Sequence, residues 1–317
     1  MRVLVALGGN AMTGPDGSAT QKAQRHAIRR AMERIADVVA AGHEVVITHG
    51  NGPQVGNLLV KNELAAHVVP PVSLDWCGAQ TQATVGFTVM DTLEPALRAR
   101  GAIHPVAALV TRTLVDTDDP NFTTPSKPIG RYLPREQAQV LIDHGETWED
   151  RGAKGWRRVV ASPEPLEVLE THTVLALLAA GYVVVAAGGG GIPVVRTGSG
   201  EVHGVDAVID KDLTAAVLAR DLDADVLVIA TDVANATLGF GTASERALGR
   251  VSLTELESYA ASGQFASGSM GPKVEAVLRF VRGGGTRGVI TALDLIADAV
   301  EGGAGTVVEN SSVPTER

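Results

Sequence analysis

The sequence is poor in cysteine and in long apolar runs, and each shortage excludes a class of protein. Cys77 is the one cysteine in 317 residues, so no disulfide can form within the chain, and we expect a reducing, cytoplasmic environment. No uncharged apolar run approaches the roughly 18 residues that a membrane-spanning helix needs. The chain opens directly into a strand-like run at residues 3–7, without the basic segment of a secretion signal. We therefore predict a soluble protein.

Positive charge and aromatic side chains are also scarce. The 27 Lys and Arg residues face 36 Asp and Glu residues, which gives a formal net charge of −9. Proteins that bind nucleic acid or anionic membranes usually carry a basic surface, so we expect neither partner. Aromatic residues make up only 3% of the chain. The core must then consist of Val, Ala, Leu and Ile, the composition typical of buried parallel strands.

Short β-branched runs alternate with longer helical patterns along the chain. This alternation predicts an α/β fold with a mostly parallel sheet covered by helices on both faces. The length predicts one large domain over residues 1–317. The predicted strands are residues 2–7, 44–48, 103–110, 182–187, 225–230, 287–291 and 305–308. The predicted helices lie near residues 21–41, 53–65, 74–100, 166–180, 212–221, 270–282 and 292–300.

Residues 116–165 interrupt the alternation. The segment is rich in proline, contains two of the three tryptophans and carries dense mixed charge. It is too long for a simple connection between elements. We interpret it as an inserted subdomain, with short strands around Trp156 to Val160. Two roles stay open from the residues alone: a lid over the active site, or an insertion used for dimer contacts or decoration.

Three of the predicted strands end in glycine clusters, at residues 5–11, 46–57 and 184–195. In an open parallel sheet, ligands bind outside the carboxyl ends of the strands. Glycine there lets backbone N–H groups approach an anion closely, and a following helix N-terminus favours negative charge. Three such loops at one edge favour a phosphate-binding site over three ordinary structural turns. The chain has neither the Walker sequence of a P-loop enzyme nor the glycine spacing of a dinucleotide fold.

Lysine is rare among the basic residues, and three lysines stand in unusual surroundings. Only six of the 27 basic residues are lysines. Lys127 lies between prolines, Lys211 ends an apolar run within Asp-Lys-Asp, and Lys273 follows a loop containing glycine and proline. Phosphoryl transfer needs cations that match the charge of the transferred group. We predict that Lys211 and Lys273 supply that charge and that Asp212 orients both ammonium groups.

A simpler interpretation of the Asp-Lys-Asp segment is equally open at this point. Aspartate is a favoured N-cap, so Asp210, Lys211 and Asp212 would then only start a helix. His49, beside the second glycine cluster, favours a structural hydrogen-bonding role over a role as a proton shuttle.

Eight motifs follow one another along the chain. They are VALGGNA (5–11), HGNGPQVGNLL (49–59), SKPIG (126–130), GWRRVV (155–160), GGGGIPV (188–194), GVDAVIDKD (204–212), SGSMGPK (267–273) and GTVVE (305–309). In this order they resemble the motifs of carbamate kinases in the amino-acid kinase superfamily, nearly from end to end. The resemblance is strongest where GGGGIPV is followed by AVIDKD, and in the SKPIG segment of the insertion.

The resemblance implies a fold, an assembly and a reaction. The fold is a three-layer αβα sandwich with a mostly parallel open sheet, in which residues 116–165 form a protruding lid. The assembly is a homodimer. The reaction is reversible phosphoryl transfer between carbamoyl phosphate and ADP, giving carbamate and ATP. Magnesium is expected to arrive with the nucleotide phosphates, without a dedicated metal site.

Residue roles also follow from the resemblance. Lys211, Lys273 and Asp212 are implied as the catalytic residues. The substrate-binding residues are implied to be Gly8, Gly9, Asn10, Gly50, Asn51 and Lys127. The nucleotide-binding residues are implied to be Lys211, Thr231, Asp232, Thr237, Phe265, Met270 and Lys273.

The chain departs from the family pattern at two places. Residues 231–241 carry Ala234 and Thr237 where many members have an acidic and an aromatic residue, and Glu164 replaces a lysine of the insertion. The first departure predicts weaker recognition of the nucleotide base. Two rival functions remain: a kinase of this fold that acts on a different small acid, and a non-catalytic nucleotide-binding protein. Retention of Lys127, Lys211, Asp212 and Lys273 argues against the second rival.

Overall fold

The structure, a computed structural model, describes residues 1–13, 20–143, 145–266 and 269–309. Its helices are α1 (Gln21–Ala40), α2 (Gly52–Ala65), α3 (Leu74–Ala99), α4 (Arg135–Asp143), α5 (Thr171–Ala179), α6 (Lys211–Asp221), α7 (Leu253–Ala261), α8 (Met270–Arg282) and α9 (Ile296–Val300). Its strands are β1 (Arg2–Leu7), β2 (Glu44–His49), β3 (Val106–Ala108), β4 (Arg112–Leu114), β5 (Lys127–Leu133), β6 (Trp148–Asp150), β7 (Trp156–Val160), β8 (Glu167–Val168), β9 (Val183–Val185), β10 (Ile192–Arg196), β11 (Val202–Gly204), β12 (Val226–Thr231), β13 (Thr237–Leu238), β14 (Arg246–Ala247), β15 (Arg250–Ser252), β16 (Arg287–Ala292) and β17 (Thr306–Glu309).

A main sheet of eight strands, within the described residues, has the order β15-β17-β16-β12-β1-β2-β9-β3. Its neighbouring strands are parallel except for β16 and β17. All seven predicted strands belong to this sheet, and its mostly parallel character is confirmed. The predicted helix at 166–180 is wrong at its start, because Glu167–Val168 pairs as a strand and the helix begins at Thr171.

Helices cover both faces of the main sheet. Val3, Val5 and Leu7 of β1 pack into one apolar layer with α1, α3 and α9. Leu4 and Ala6 point the other way, into a second layer with α5, α6, α7 and α8. Because both faces of β1 are buried, the strand is continuously apolar. The molecule is therefore an αβα sandwich, as expected.

Residues 116–165 contain a three-stranded antiparallel sheet with the order β5-β7-β6. Helix α4 packs on this sheet through a small cluster that includes Leu133, Ala138 and Trp148. A second cluster joins Ile129 and Val160 of this sheet to α2 and α3. The insertion therefore has a core of its own and packs against α2 and α3, beside the carboxyl edge of the main sheet.

Candidate active site

A cleft of about 1190 Å³ opens at the carboxyl edge of the main sheet. Its floor is formed by the residues that follow β1, β2, β12 and β16, and β5 and β7 of the insertion contribute to its wall. This is where an open parallel sheet binds ligands. The predicted site residues that line the cleft are Gly8, Gly9, Gly50, Asn51, Lys127, Lys211, Asp212, Thr231, Asp232 and Lys273.

The first two glycine clusters bring three chain segments close together. The amide of Gly8 donates to the carbonyl of Ala230 at 2.8 Å, and the amide of Gly50 donates to that of Leu7 at 3.1 Å. A Cβ at Gly8 would lie 2.9 Å from the Ala230 oxygen. A Cβ at Gly50 would lie 3.5 Å from the nitrogen of Gly9. Gly8 thus permits a close approach to β12 that a side chain would obstruct, whereas Gly50 lies at ordinary packing distance from Gly9. The amides of both glycines continue the pairing of the sheet.

The third cluster, residues 188–191, is a support for site residues. Gly189 has φ +68°, and a Cβ there would lie 2.1 Å from the Asn51 side chain. A Cβ at Gly188 would lie 2.4 Å from Nε2 of His49. Thr214 of α6 donates to the carbonyl of Gly190 at 3.0 Å. Glycine is required here because neighbouring side chains fill the space. Gly189 and Gly191 also line the cleft, so the cluster both supports site residues and borders the ligand space.

Asp212 holds two lysines side by side within the cleft. Lys211 donates to its Oδ1, and Lys273 donates to its Oδ2 at 2.9 Å. The Asp212 side chain is 5% exposed, and the two lysine side chains are 13% and 14% exposed. Both carboxylate oxygens are therefore occupied, which suits an organiser of cations and leaves Asp212 poorly placed to act as a base.

The protonation state of Asp212 follows from two opposing effects. Burial raises its pKa, but the positive charges of Lys211 and Lys273 and the hydrogen bonds from both outweigh burial. The net result is a pKa below the ordinary value for aspartate. Asp212 is consequently a carboxylate at neutral pH, and it holds both lysine side chains at the cleft.

Asp210 links the start of α6 to the insertion. Its Oδ1 accepts the amide of Asp212 at 3.0 Å, which makes Asp210 the N-cap of the helix. Its Oδ2 accepts from Lys127 at 3.1 Å. The capping interpretation therefore holds for Asp210, while Asp212 has the geometry of an organiser of two lysines. The Asp-Lys-Asp segment thus both starts a helix and positions the lysines of the cleft.

His49 is buried directly behind the cleft. Burial, opposed by a backbone hydrogen bond and reinforced by the charge of Lys211, lowers its pKa to about 4. The imidazole is therefore neutral at physiological pH, and its Nδ1 is 3.0 Å from the carbonyl oxygen of Gly50, to which it can donate. A neutral, buried ring packed against Gly188 matches the predicted structural role.

The residues predicted to hold the nucleotide do not all meet in the cleft. Thr231 and Asp232 line it, and Thr231 donates to Asp232 at 3.0 Å. Phe265 and Met270 are half-buried against the second apolar layer, and Thr237 lies on the small ribbon formed by β13 and β14. The side chain of Asn10, and residues 267–268 of the predicted 267–273 loop, lie outside the described part of the chain.

Sequence reasoning missed several charged residues of the cleft wall. They gave little signal, because arginine and aspartate are common in this chain. The missed residues are Arg30, Arg131, Arg157, Asp210 and Asp294. Asp210 was named only as a cap, although its position opposite Lys127 gives it a second function.

The described residues offer no ready-made metal site. Within residues 1–13, 20–143, 145–266 and 269–309, no three His, Cys, Asp or Glu side chains form a group that could hold a metal ion. In the same described ranges, no helix is both long and apolar enough to cross a membrane.

Comparison with known proteins gives the class of the protein. A model of the amino acid kinase family matches residues 1–292, and the chain belongs to that family. Within it, the chain is similar to carbamate kinases. The carbamate kinase of Thermococcus kodakarensis is 45% identical over 311 residues, which cover 97% of this chain and 98% of the relative. The carbamate kinase-like protein YqeA of Escherichia coli is 42% identical, with coverage of 97% and 98%.

Solved structures agree with the sequence relatives. The carbamate kinase from Giardia lamblia bound to AMP-PNP has a TM-score of 0.93 and 38% identity, and the match covers 98% of both chains. The αβα fold and the resemblance to carbamate kinases are both confirmed. The arrangement of three lysines around two aspartates at this sheet edge can hold and neutralise a phosphoryl group.

Proposed function

We propose that this protein is a carbamate kinase, which transfers a phosphoryl group reversibly between carbamoyl phosphate and ADP. The observation that carries the proposal is the pair of largely shielded lysines, Lys211 and Lys273, held on the buried carboxylate of Asp212 in the cleft. The carbamate kinases among its relatives, which match over nearly the whole chain, support the choice of acyl phosphate.

The chemistry requires charge and position more than covalent help. The bond between the carbamate oxygen and phosphorus breaks while a bond forms from a β-phosphate oxygen of ADP, so no proton has to move. Lys211 and Lys273 neutralise the charge on the phosphoryl oxygens in flight. Asp212 fixes the distance between the two ammonium groups. The acyl phosphate is proposed to lie beside Gly9, Gly50 and Asn51. The side-chain amide of Asn51 is held in place because its Nδ2 donates to Thr81 at 2.9 Å.

Magnesium fits the carboxylates that remain in the cleft. Asp210 and Asp212 are committed to lysines, and Asp294 to arginines. Asp232 has no cation partner among the described residues, and it lines the cleft beside Thr231. Mg²⁺ usually keeps several waters and binds through one or two carboxylates plus substrate phosphates. We propose that Asp232 receives the hydrated ion with the nucleotide, where it would neutralise β- and γ-phosphate charge.

The insertion is proposed to act as a lid. Lys127 reaches Asp210 from the insertion, and its side chain is 40% exposed. Its contact with Asp210 can therefore be exchanged for a contact with the acyl phosphate at small cost. In this role the insertion closes the cleft and excludes water from the transfer.

We also propose a homodimer in the cytoplasm. Helix α3 presents Trp76, 64% exposed, and Phe87, 50% exposed, on its outer face. Exposed aromatic residues of this size favour a protein contact. Light scattering of the purified protein should give a molar mass of twice the chain mass. Phe87→Glu should lower this molar mass towards that of a monomer. A monomer of the unmodified protein at working concentration would contradict the proposal. The cytoplasmic location is supported by the single, buried cysteine.

The direct test is a coupled assay of ATP formation. Purified protein with ADP, magnesium and carbamoyl phosphate should form ATP, and omission of magnesium should abolish the signal. Acetyl phosphate is the matched control for the acyl group. ATP from acetyl phosphate but none from carbamoyl phosphate would assign a different acid kinase, the rival function kept open by the relative named only as carbamate kinase-like.

A further inference from the structure

The charged side chains of the cleft are almost all neutralised by a partner. Five of its six Lys and Arg residues form ion pairs: Lys211 and Lys273 with Asp212, Lys127 with Asp210, Arg131 with Glu63, and Arg30 with Asp294. Arg157 is the exception, because no carboxylate in the described part of the chain pairs with it. A permanent positive charge at a cleft wall without a counterion is a ready site for an anion.

The insertion fixes the direction of Arg157 by local geometry. Strands β5 and β7 pair with an irregularity, since Ile129 is opposite Arg158 while Tyr132 is opposite Arg157. Bulges of this kind redirect side chains. Nε of Arg157 donates to the carbonyl of Ile129 at 3.4 Å. Its guanidinium lies over the Tyr132 ring, 5.0 Å from the centroid, and Nη1 is 3.3 Å from the tyrosine oxygen.

These contacts hold the guanidinium without neutralising it. An aromatic ring supports its flat face, and a carbonyl and a hydroxyl accept only part of its five donors. The donors that remain match the oxygens of a phosphate group, which guanidinium binds through two parallel hydrogen bonds. Arg158 lies next to Arg157 on β7 and differs from it. Its guanidinium is paired with Glu146 at 3.2 Å and with Asp206 at 3.0 Å. Arg158 is therefore a structural arginine, whereas Arg157 is available to a ligand.

The position of Arg157 indicates which of the two phosphate-bearing substrates it contacts. The insertion packs on α2 and α3 through the cluster that contains Ile129 and Val160. Lys273 stands on α8, which packs with α6 and α7 in the opposite layer of the sandwich. Arg157, which donates to the carbonyl of Ile129, therefore faces the cleft from the side of α2, the side proposed above for the acyl phosphate. Lys127 of the same sheet instead reaches across to Asp210 at the start of α6.

We propose that Arg157 is a substrate-binding residue. Its guanidinium binds the phosphoryl oxygens of the acyl phosphate from the insertion side of the cleft. The inference rests on the proposed function for the identity of the substrate, but the phosphate-binding step stands without it. Arg157 contacts the substrate when it binds, before the transfer. Lys211 and Lys273 neutralise the charge of the phosphoryl group during the transfer.

The kinetic test compares two arginines of the insertion. Arg157→Ala should raise KM for carbamoyl phosphate on the order of tenfold, the scale of one lost charge-assisted hydrogen bond, with kcat and KM for ADP within about twofold. Arg157→Lys should recover part of the loss, since it restores charge without the fork. Arg151→Ala is the control, because Arg151 pairs with Glu149 and does not line the cleft. An equal effect of Arg151→Ala, or no effect of Arg157→Ala, would overturn the inference. A rise confined to KM for ADP would overturn the choice of substrate.

A binding measurement separates this inference from the proposed reaction. Inorganic phosphate titrated calorimetrically into the unmodified protein should bind, and binding should weaken in Arg157→Ala but persist in Arg151→Ala. If the protein makes no ATP from carbamoyl phosphate yet shows this pattern, the proposed reaction fails and the assignment of Arg157 stands. Equal phosphate affinity in all three proteins would remove Arg157 from the site.

Discussion

The cleft combines two kinds of cation site that differ in burial and in the elements that carry them. Lys211 and Lys273 are 13% and 14% exposed and stand on helices whose apolar faces belong to the core. Lys127 is 40% exposed and stands on the insertion, as does Arg157. Buried charge is costly unless it is paired, so we expect the first site to keep both lysines on Asp212. The exposed site can exchange partners.

This difference assigns the two sites to different steps. Charge that must be in place when the phosphoryl group is in flight belongs on rigid elements, because reorganisation during the reaction would cost rate. Charge that captures substrate and then releases product belongs where exchange with water is easy. We therefore expect changes at the buried site to appear mainly in kcat and changes at the insertion mainly in KM.

The largest effect should follow from Asp212→Asn. Removal of the charge of the buried carboxylate leaves two partly shielded ammonium groups side by side without a counterion, so kcat should fall on the order of 10²-fold or more, the scale for one lost group of a preorganised charge site. Breaking a buried ion pair should also lower the free energy of unfolding by about 3 kcal/mol. Steady-state kinetics and urea denaturation measure the two effects.

A matched aspartate on the same helix provides the control. Asp221→Asn breaks only the more exposed pair with Arg220, for which stability should change by roughly 0–1 kcal/mol and activity should not change. Equal losses of stability in the two variants would show that Asp212 is no more than an ordinary helix residue.

The buried half of the site also predicts a pH dependence through His49. Its pKa is lowered to about 4 in the folded protein and is about 6.5 when unfolded, so the unfolded chain binds more protons between these values. Stability is then fully present above about pH 6.5 and declines by roughly 3 kcal/mol as the pH falls towards 4. His49→Gln should flatten this part of the stability curve.

The exposed His67 gives the comparison for this experiment. His67→Gln should leave the slope between pH 4 and 6.5 unchanged, because the residue lies on the surface. Urea denaturation at several pH values supplies both curves. A slope that survives in His49→Gln would assign the acid sensitivity to other groups.

The smallest effect concerns the nucleotide base. Thr237, proposed to lie beside the base, is on the β13 and β14 ribbon and offers no ring to stack on adenine. Base stacking contributes ~1–3 kcal/mol. We therefore expect a raised KM for ADP with weak discrimination against GDP, and Thr237→Tyr should lower KM for ADP by at most on the order of tenfold. Tight, strictly adenine-selective binding in the unmodified protein would show that another side chain covers the base.

The apolar patterns of the sequence predict the main sheet well. Its predicted strands are buried on both faces, so burial and β-branched composition coincide along each of them, as in β1 and β12. Short elements were missed because their pairing depends on distant segments, as in the four-stranded sheet β11-β10-β4-β8. Helix α7 was also missed, although Ser252 and Glu255 form a capping box that marks its start.

The candidate site was predictable where a residue type was rare. Lys127, Lys211 and Lys273 are conspicuous in a chain with few lysines, and all three line the cleft. Arg157 is one arginine among many, and its importance depends on which neighbours lack a carboxylate. The support role of Gly189 depends on the Asn51 side chain, which is distant in sequence. Such contacts arise only from the tertiary fold.

The most direct test is a single-turnover measurement at saturating carbamoyl phosphate, with rapid quenching of ATP formation. Lys273→Ala should lower the saturating rate on the order of 10²-fold or more, because it removes a buried charge partner of the transferred group. Lys127→Ala should reach a saturating rate close to that of the unmodified protein and require more carbamoyl phosphate to do so. A near-normal saturating rate in Lys273→Ala, or a large loss of it in Lys127→Ala, would contradict the division between a buried transfer site and an exposed capture site.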